Sequence, residues 1–413
     1  MVPLAGLVDV AFLGHLSEIR HLAGVALATV LFNYIYWTFG FLRMATTGTT
    51  AQAVGRGDRD QVLLIGLRSV CLALGIGLVI LLLQYPLQEI GFALLKATSE
   101  VKESGRAYYE ALIWGAPATL INFVILGWLL GQSRGSQVLL LSVIGNGANT
   151  IFNYLFIVLW GLESAGAGWG TALSQYVMLL TGLGLISREV RVADIQRLVP
   201  QIYNFAALQA TIQLNRDILI RTFALISTFA LFTNLSSLLG MTVLAANTLL
   251  LQVVTLTAYF IDGIAFATES FAGILRGQNQ TTQLIFLLRL AGMLSVGVGL
   301  GFALVFIVAP DRLFSFLTNH SSVITQIRQY VGWLLPVLGF GSIAYLLDGY
   351  FLGLTEGRIL RTSSLISSLV GFAPGAIVAW QMQSNQLLWA ALALFMLSRA
   401  VTLALQIPRT LRI

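Results

Sequence analysis

The feature that most constrains this chain is a succession of long apolar runs separated by short polar connections. Hydrophobic residues make up 57% of the chain and charged residues only 10%, with a mean hydropathy of +0.85. So few ionisable side chains cannot cover a water-exposed surface, which excludes a soluble globular protein. Backbone groups in lipid must bond to one another, and the runs lack the alternation of barrel strands. The chain is therefore predicted to be an all-α integral membrane protein.

The apolar runs predict about twelve membrane spans, because a helix needs roughly 20 apolar residues to cross the hydrocarbon core. Numbered in chain order, spans 1 to 12 are Met1–Leu16, Leu22–Val54, Val62–Leu83, Ala107–Leu130, Val138–Trp160, Ala165–Ile186, Gln213–Leu239, Val243–Leu275, Leu284–Ala309, Tyr330–Leu352, Thr362–Met382 and Leu387–Ile407. Span 1 is short, and neither a basic region nor a small-residue cleavage site marks it as a signal peptide. We expect the beginning of its helix to lie upstream of Met1.

The basic residues between the spans indicate the orientation. One side carries eleven of them: Arg56, Arg59, Arg134, Arg188, Arg191, Arg197, Arg276, Arg358, Arg361, Arg409 and Arg412. The other side carries six: Arg20, Lys96, Lys102, Arg106, Arg312 and Arg328. Basic loops face the cytoplasm, so we expect both termini there and a multi-pass protein of the plasma membrane. The net charge of +6 is then explained by the basic loops that set the orientation of the chain, and no nucleic-acid partner is expected.

An internal repeat relates the two halves of the chain. Sliding the sequence by 222 residues brings Leu22 onto Leu244 and, further along, Gly131 onto Gly353, with no gap between the two regions. Six spans in each half give parallel repeats about an axis along the membrane normal, which is a transporter architecture. We predict an N-terminal lobe at residues 1–187, a cytoplasmic linker at 188–201 and a C-terminal lobe at 202–413.

Ionisable residues inside a span cost a few kcal/mol, roughly 2.5–3.5 on insertion scales, so each is a candidate functional residue. Four carboxylates lie in the spans: Asp9 in span 1, Asp262 and Glu269 in span 8, and Asp348 in span 10. Under the 222-residue offset Asp262 aligns with Gly40, and Asp348 aligns with Leu126. The halves have therefore diverged chemically at these positions. The structural alternative is a carboxylate that fixes helix packing by bonding a hydroxyl group or Arg43.

Spans 5 and 6 carry amides and a hydroxyl at helical spacing. Asn149 and Asn153 are four residues apart and share a face of span 5, and Thr171 and Gln175 repeat the spacing on span 6. Amides in a membrane either join helices or supply oxygens to a cation, and spacing alone does not decide between these roles. If spans 1, 5 and 6 meet, a small oxygen-lined cavity would be formed by Asp9, Asn149, Asn153 and Thr171.

Several motifs are absent from the sequence. It contains no G-x-x-x-x-G-K-[ST], no H-E-x-x-H and no C-x-x-C, and the single Cys71 cannot form an internal disulfide. We therefore expect no cofactor and no enzymatic activity.

Asp217, beside Arg216 and Arg221 at the start of span 7, is predicted to belong to an ion-pair cluster.

Five stretches together carry a resemblance to a known family: Pro3–Leu16, Ala45–Asp58, Asn215–Thr222, Asp262–Glu269 and Asp348–Gly353. They resemble the multidrug and toxic compound extrusion (MATE) transporters, in the branch related to DNA-damage-inducible protein F. The resemblance covers essentially the whole chain. It implies a MATE-like fold in which two six-helix lobes form a V-shaped cleft, and exchange of a substrate for H⁺ or Na⁺.

The resemblance also implies roles for particular residues. In the family, an aspartate of helix 1 and polar residues of helices 5 and 6 form the cation site, which implies that role for Asp9, Asn149, Asn153 and Thr171. Relatives often have an aspartate where Asn153 stands, so a Na⁺ site at Asp9, Asn149 and Asn153 is weakened and H⁺ is favoured. The acids of the second half, Asp262, Glu269 and Asp348, are assigned to the substrate cleft or to gating.

The expected function is a cation-coupled antiporter that exports small organic compounds by alternating access. The cleft-lining spans offer chiefly Arg43 and the end cluster of Arg216 and Arg221, with acids in the middle. This balance favours cationic or neutral cargo, and the expected compounds are cationic or amphipathic. A lipid-linked saccharide flippase of the same superfamily and a major-facilitator carrier remain alternatives. The expected partners are the small-molecule substrate and membrane lipid, with the protein as a monomer.

Overall fold

A computed structural model describes residues 12–13, 18–95, 97–202, 204–318 and 320–411. These residues form helices, and no strand occurs within those ranges. The α-helices are Ile19–Phe39, Phe41–Gly55, Arg59–Leu82, Gln84–Leu94, Ser99–Leu112, Ala116–Gly131, Gly135–Asn153, Glu163–Ser187, Val192–Ile202, Phe205–Leu238, Met241–Gly277, Thr281–Val308, Pro310–Phe314, Ser321–Tyr330, Leu334–Gly353, Gly357–Ile366, Ala373–Gln381, Asn385–Ala404 and Ile407–Leu411. Short 3₁₀ turns at Ile113–Gly115 and Val331–Trp333, and π-helical turns at Tyr154–Leu159 and Ser367–Phe372, interrupt four spans.

Ten helical segments in the described ranges are long and apolar enough to cross a membrane, and they correspond to predicted spans 3 to 12. The prediction of an all-α membrane protein is confirmed. Span 1, with Asp9, lies outside the described residues except for Phe12 and Leu13.

Span 2 was predicted as one run, but the structure divides it at Gly40 into Ile19–Phe39 and Phe41–Gly55. Glycine in a helix interior is unfavourable by roughly 1 kcal/mol, and so favours a break at this position.

The internal repeat is visible in the backbone of the turns. Residues with positive φ pair at the same 222-residue offset: Gly57 (71°) with Asn279 (58°), Ser133 (58°) with Thr355 (59°), and Gly161 (64°) with Gln383 (48°). This conformation costs a residue other than glycine about 1–2 kcal/mol, so its recurrence indicates equivalent turns rather than chance. The starts of four helix pairs recur at the same offset, from Arg59 to Thr281, Ser99 to Ser321, Gly135 to Gly357 and Glu163 to Asn385.

Spans 4 and 10 share a 3₁₀ interruption and are among the more enclosed helices of the chain. In each, a 3₁₀ turn precedes a helix with an early proline, Pro117 in span 4 and Pro336 in span 10. Proline lacks the N–H group of an interior helical bond, which favours a break in regular α-helix just before it. In the most apolar stretch of span 4, 78% of the residues are buried inside the protein, against 39% in span 3.

The chain forms two compact units. The first contains the residues up to Thr46 and Arg59–Leu208, and the second contains Thr47–Asp58 and Gln209–Ile413. In the first unit the helix Val192–Ile202, here called the interlobe helix, packs on span 3. The predicted lobe boundaries at 1–187, 188–201 and 202–413 stay a prediction.

Glycines bring spans 8 and 10 together in the second unit. A Cβ added to Gly349 would lie 2.5 Å from the carbonyl oxygen of Ala265, and one added to Gly353 would overlap the carbonyl oxygen of Glu269. Only glycine allows the two backbones to approach this closely. The helix pair therefore carries both Asp348 and Glu269.

Candidate functional site

The polar group predicted on spans 5 and 6 is assembled in the first unit. The Asn149 side-chain amide donates to the hydroxyl of Thr171 at 3.0 Å, and the Asn153 amide donates to the Asn149 side-chain oxygen at 3.3 Å. Asn149 and Asn153 are buried, and Thr171 is half-buried. The structure thus brings these three predicted residues together as a connected group of oxygen-bearing side chains.

Two local features hold Asn153 in this group. The π-helical turn Tyr154–Leu159 begins directly after it, and such wider turns are frequent at functional sites. On span 6, Gly170 faces it so closely that an added Cβ would overlap the Asn153 side-chain oxygen. A small residue at position 170 is therefore needed for Asn153 to occupy this position.

Asn122 of span 4 joins the same region and was not predicted. Its side-chain amide donates to the backbone oxygen of Gln175 at 2.9 Å and to the side-chain oxygen of Gln175 at 3.2 Å. The predicted pair of Thr171 and Gln175 therefore contacts two different helices, span 5 through Thr171 and span 4 through Gln175. An asparagine inside the apolar run of span 4 was the feature of the sequence that could have indicated it.

The predicted carboxylate of the cation site, Asp9, lies outside the described residues. Among those that are described, no group of three or more His, Cys, Asp or Glu side chains lies close enough to hold a metal ion. The chemistry that Asn149, Asn153 and Thr171 offer is instead neutral amide and hydroxyl oxygen. Such oxygens suit a hard cation such as Na⁺ or hydrogen bonding to a protonated carboxyl group.

Asp348 in the second unit lies between two arginines. Its Oδ2 atom accepts hydrogen bonds from Arg221 of span 7 and Arg399 of span 12. All three residues are buried, and Arg399 has no exposed surface. Paired charges are the usual way to hold a carboxylate inside a membrane protein.

Arg399 was not predicted from the sequence, where only the carboxylates inside the spans were candidates. Its guanidinium group lies 5.5 Å from the ring centroid of Tyr345 and 5.7 Å from that of Phe395, a distance range for cation–π contact. Two arginines and one aspartate leave one net positive charge in the cluster. The net charge around Asp348 is therefore positive, whereas the sequence indicated acids as the main charges in this part of the cleft.

The other predicted acids of the second unit differ in burial. Glu269 is fully buried in span 8, whereas Asp262, two turns earlier, is half-buried. Asp217 belongs to an ion-pair cluster as expected, but its closest partner is Arg361 of span 11, at 2.6 Å, with Arg216 at 3.5 Å. Arg221, which was expected in that cluster, bonds Asp348 instead.

Arg68 is another arginine inside a span that was not predicted from the sequence. It stands inside the apolar run of span 3, and its guanidinium donates to the carbonyl oxygens of Gln201 at 2.7 Å and Ile202 at 3.2 Å. A lone basic residue in an apolar run was the sequence signal. It links span 3 to the end of the interlobe helix.

Two related helical halves, with buried polar groups inside their spans, define a multi-pass membrane transporter. The MatE family model matches residues 1–155 and 218–377 of this chain. DNA damage-inducible protein F of Escherichia coli (strain K12) is 33% identical, with 98% of this chain and 87% of that protein covered. This chain belongs to the MATE family of multidrug efflux transporters.

Two further comparisons agree with the family. A probable multidrug resistance protein NorM of Synechococcus sp. is 25% identical, with 91% of this chain and 83% of that protein covered. A MOP superfamily transporter from Pyrococcus furiosus has the same fold, with a TM-score of 0.87 at 20% identity, covering 99% of this chain and 92% of that chain. Family membership excludes the major-facilitator alternative.

Proposed function

We propose that this protein is a cation-coupled antiporter that exports small organic compounds by alternating access, with its coupling cation bound in the first unit. The observation that carries the proposal is the hydrogen-bonded group of Asn149, Asn153 and Thr171, in which both asparagines are buried. Buried amides and hydroxyls in a membrane are costly unless they bond one another or a ligand. A cation or proton that binds one orientation of the carrier more tightly than the other shifts the population between the two.

The charge of the site in the first unit supports H⁺ as the coupling ion. Asp9, by resemblance to the family, supplies the carboxylate, and Asn153 supplies a neutral amide where many relatives have a second acid. With one carboxylate fewer, the site attracts Na⁺ less strongly. A single carboxylate can still bind and release a proton.

Asp348 is a poorer site for the coupling cation. Arg221 and Arg399 already bond its carboxylate, and their combined charge repels a further cation. We therefore assign Asp348, together with Asp262 and Glu269, to the substrate cleft or to gating. Glu269 and Asp262 provide the negative charge for cationic or amphipathic cargo.

The flippase alternative is less well supported. Holding a lipid-linked diphosphate requires several cationic groups that are available to the ligand. Arg221 and Arg399 are buried and both bond Asp348, which leaves one net positive charge at that cluster. Antiport of a small compound is the function that the described residues support best.

Transport in proteoliposomes tests the proposal. The purified protein is reconstituted, and efflux of a fluorescent cation is followed under an imposed pH gradient and, separately, an imposed Na⁺ gradient. We expect Asp9→Asn to abolish gradient-driven transport while the protein stays folded, because the variant loses its charge and keeps its volume. Unchanged gradient-driven efflux in that variant would refute the coupling role of Asp9.

A second pair of variants tests the role of the amides. Asn149→Ala should raise the half-saturating ion concentration on the order of tenfold, since a hydrogen bond to a charged group contributes about 1.5–3 kcal/mol. Thr150→Ala on the same helix is the matched control, because Thr150 is exposed and its hydroxyl donates to the Asn146 carbonyl oxygen of its own helix at 3.0 Å. Loss of ion binding in Asp348→Asn, with binding kept in Asp9→Asn, would place the cation site in the second unit instead.

A further inference from the structure

Arg68 is a buried charge that the proposed transport mechanism does not use. It lies nine residues into its helix, about 14 Å of helical rise from Arg59, and its side chain is 7% exposed. Among the described residues no carboxylate lies within ion-pairing distance of its guanidinium group. Within the described ranges, its positive charge is met by the carbonyl oxygens of Gln201 and Ile202. Two carbonyl dipoles do not neutralise a full charge, so the group retains the capacity to bind an anion.

A cavity of about 520 Å³ opens beside Arg68. Its lining consists of Gln61, Leu64, Arg68, Pro200, Gln201, Asn204 and Ala207, all in the first unit. The described lining residues include amide side chains and one cation but no acidic residue. This combination of positive charge and hydrogen-bond donors suits a phosphate group.

The chain segments that contribute the cavity lining, from Arg59 to Arg68 and from Arg188 to Ala207, are basic. Two acids there are already paired, Asp60 with Arg197 at 2.6 Å and Glu189 with Arg134. The remaining charges are Arg59, Arg68, Arg188 and Arg191 against Asp194, which leaves three net positive charges. All of these residues lie on the side of the membrane with the larger number of basic residues, where clusters of arginine bind anionic lipid.

The interlobe helix presents an apolar face that no part of the described chain covers. Leu198 and Ile202 are buried on one face, whereas Val192 and Val199 are 70% and 44% exposed. These two valines are seven residues apart and thus lie on one face, two turns from each other. A helix with one packed face and one exposed apolar face, at the basic end of the spans, has the character of an interfacial helix.

We propose that Arg68 and the cavity beside it bind the phosphate of an anionic phospholipid, with the exposed valines of the interlobe helix against its acyl chains. The arginine supplies the charge, Gln61, Gln201 and Asn204 supply hydrogen-bonding groups, and the surrounding arginines attract the negative headgroup. The site is independent of the cation site and of the cargo. Its natural ligand class is a phospholipid with a net negative charge.

Lipid binding to the purified full-length protein tests this proposal. Phosphatidylglycerol or phosphatidylcholine is titrated into the detergent-solubilised protein, and bound lipid is counted by native mass spectrometry alongside thermal unfolding. We expect tighter binding of phosphatidylglycerol and a larger rise in unfolding temperature with it. Arg68→Gln should lower phosphatidylglycerol affinity about fivefold, the equivalent of about 1 kcal/mol for one basic residue near a membrane surface, and should leave phosphatidylcholine binding unchanged.

A second variant keeps the test decisive if Arg68→Gln fails to fold. The Asn204 side-chain oxygen accepts the N–H of Ala207 at 3.1 Å and so caps the following helix. Aspartate caps a helix as well as asparagine does, so Asn204→Asp preserves the fold while placing a negative charge in the cavity. It should reduce phosphatidylglycerol binding at least as much as Arg68→Gln.

The controls separate the possible ligands. Arg106→Gln removes an exposed arginine that pairs with Glu89 at the opposite end of the spans, and phosphatidylglycerol binding should not change. Equal phosphatidylglycerol affinity in the wild type and Asn204→Asp would overturn the proposal. Displacement of the lipid by millimolar inorganic phosphate would show that the cavity takes a free anion, and would overturn the assignment to lipid.

Discussion

At the scale of single residues, the role of an intramembrane charge depends on its partners. Asp348 was predicted from sequence as a lone carboxylate, yet the structure places it between Arg221 and Arg399. The three charges are buried together, so removal of one leaves the others without compensation. Its assignment to cargo or gating stays a prediction, but any variant must first be judged by its stability.

Asp348→Asn is expected to lower the free energy of unfolding by about 3–5 kcal/mol, because two buried guanidinium groups lose their counter-charge. The double variant Asp348→Asn with Arg399→Gln should recover part of that loss, since it removes one of the uncompensated charges. Thermal unfolding of the purified variants in detergent measures both effects. If the single variant is as stable as the wild type, the cluster does not hold its spans together.

Asn153 sets how much negative charge the proposed cation site would contain. Asn153→Asp adds a carboxylate beside Asn149 in a fully buried position. We expect transport to gain dependence on Na⁺, with a lower half-saturating Na⁺ concentration than in the wild type, because a second acid strengthens attraction for a metal cation. Efflux measured under a Na⁺ gradient at constant pH checks this, and a response equal to that of the wild type would contradict it.

At the scale of elements, close helix contacts position the polar groups. Span 6 packs against span 5 through small residues, so the backbone of Gly170 lies next to Asn153. The π-helical turn after Asn153 changes which face the rest of span 5 presents. Neither feature follows from the helical spacing that predicted the group of Asn149, Asn153 and Thr171.

Gly170→Ala is expected to destabilise the protein by about 1–3 kcal/mol and to impair ion binding, because its Cβ would overlap the Asn153 side chain. Gly184→Ala on the same helix is the matched control. A Cβ there meets nothing within 4 Å, so the higher helix propensity of alanine should leave stability unchanged or increased by up to about 1 kcal/mol. Thermal unfolding and ion binding are compared for the two variants, and equal behaviour would contradict the packing argument.

At the scale of the whole molecule, the repeat and the basic residues constrain the topology. The equivalent turns of the two halves have the same backbone conformation at a constant offset. With six predicted spans in each half, corresponding loops are expected on the same side of the membrane. The turn at Ser133 is on the side with the larger number of basic residues, and the turn at Gln383 is on the opposite side. Positive loops remain in the cytoplasm during insertion.

Labelling of single cysteines tests the orientation, in a Cys71→Ser background because Cys71 is exposed. Ser133→Cys should be protected from a membrane-impermeant thiol reagent in intact cells and should react after lysis, whereas Gln383→Cys should react in both. Both positions are exposed turn residues with positive φ, so they form a matched pair. The reverse pattern would mean that the chain is inserted in the opposite orientation.

The sequence by itself determined the all-helical membrane fold, spans 3 to 12, the repeat and the family. It could do so because the length of an apolar run and the spacing along a helix are local properties. Tertiary structure decided which side chains meet. Asp348 lies 127 residues from Arg221 and 51 from Arg399, and Arg68 lies 133 residues from Gln201. No local pattern encodes such pairs, because they depend on how separate helices pack and on where a glycine lets two backbones approach.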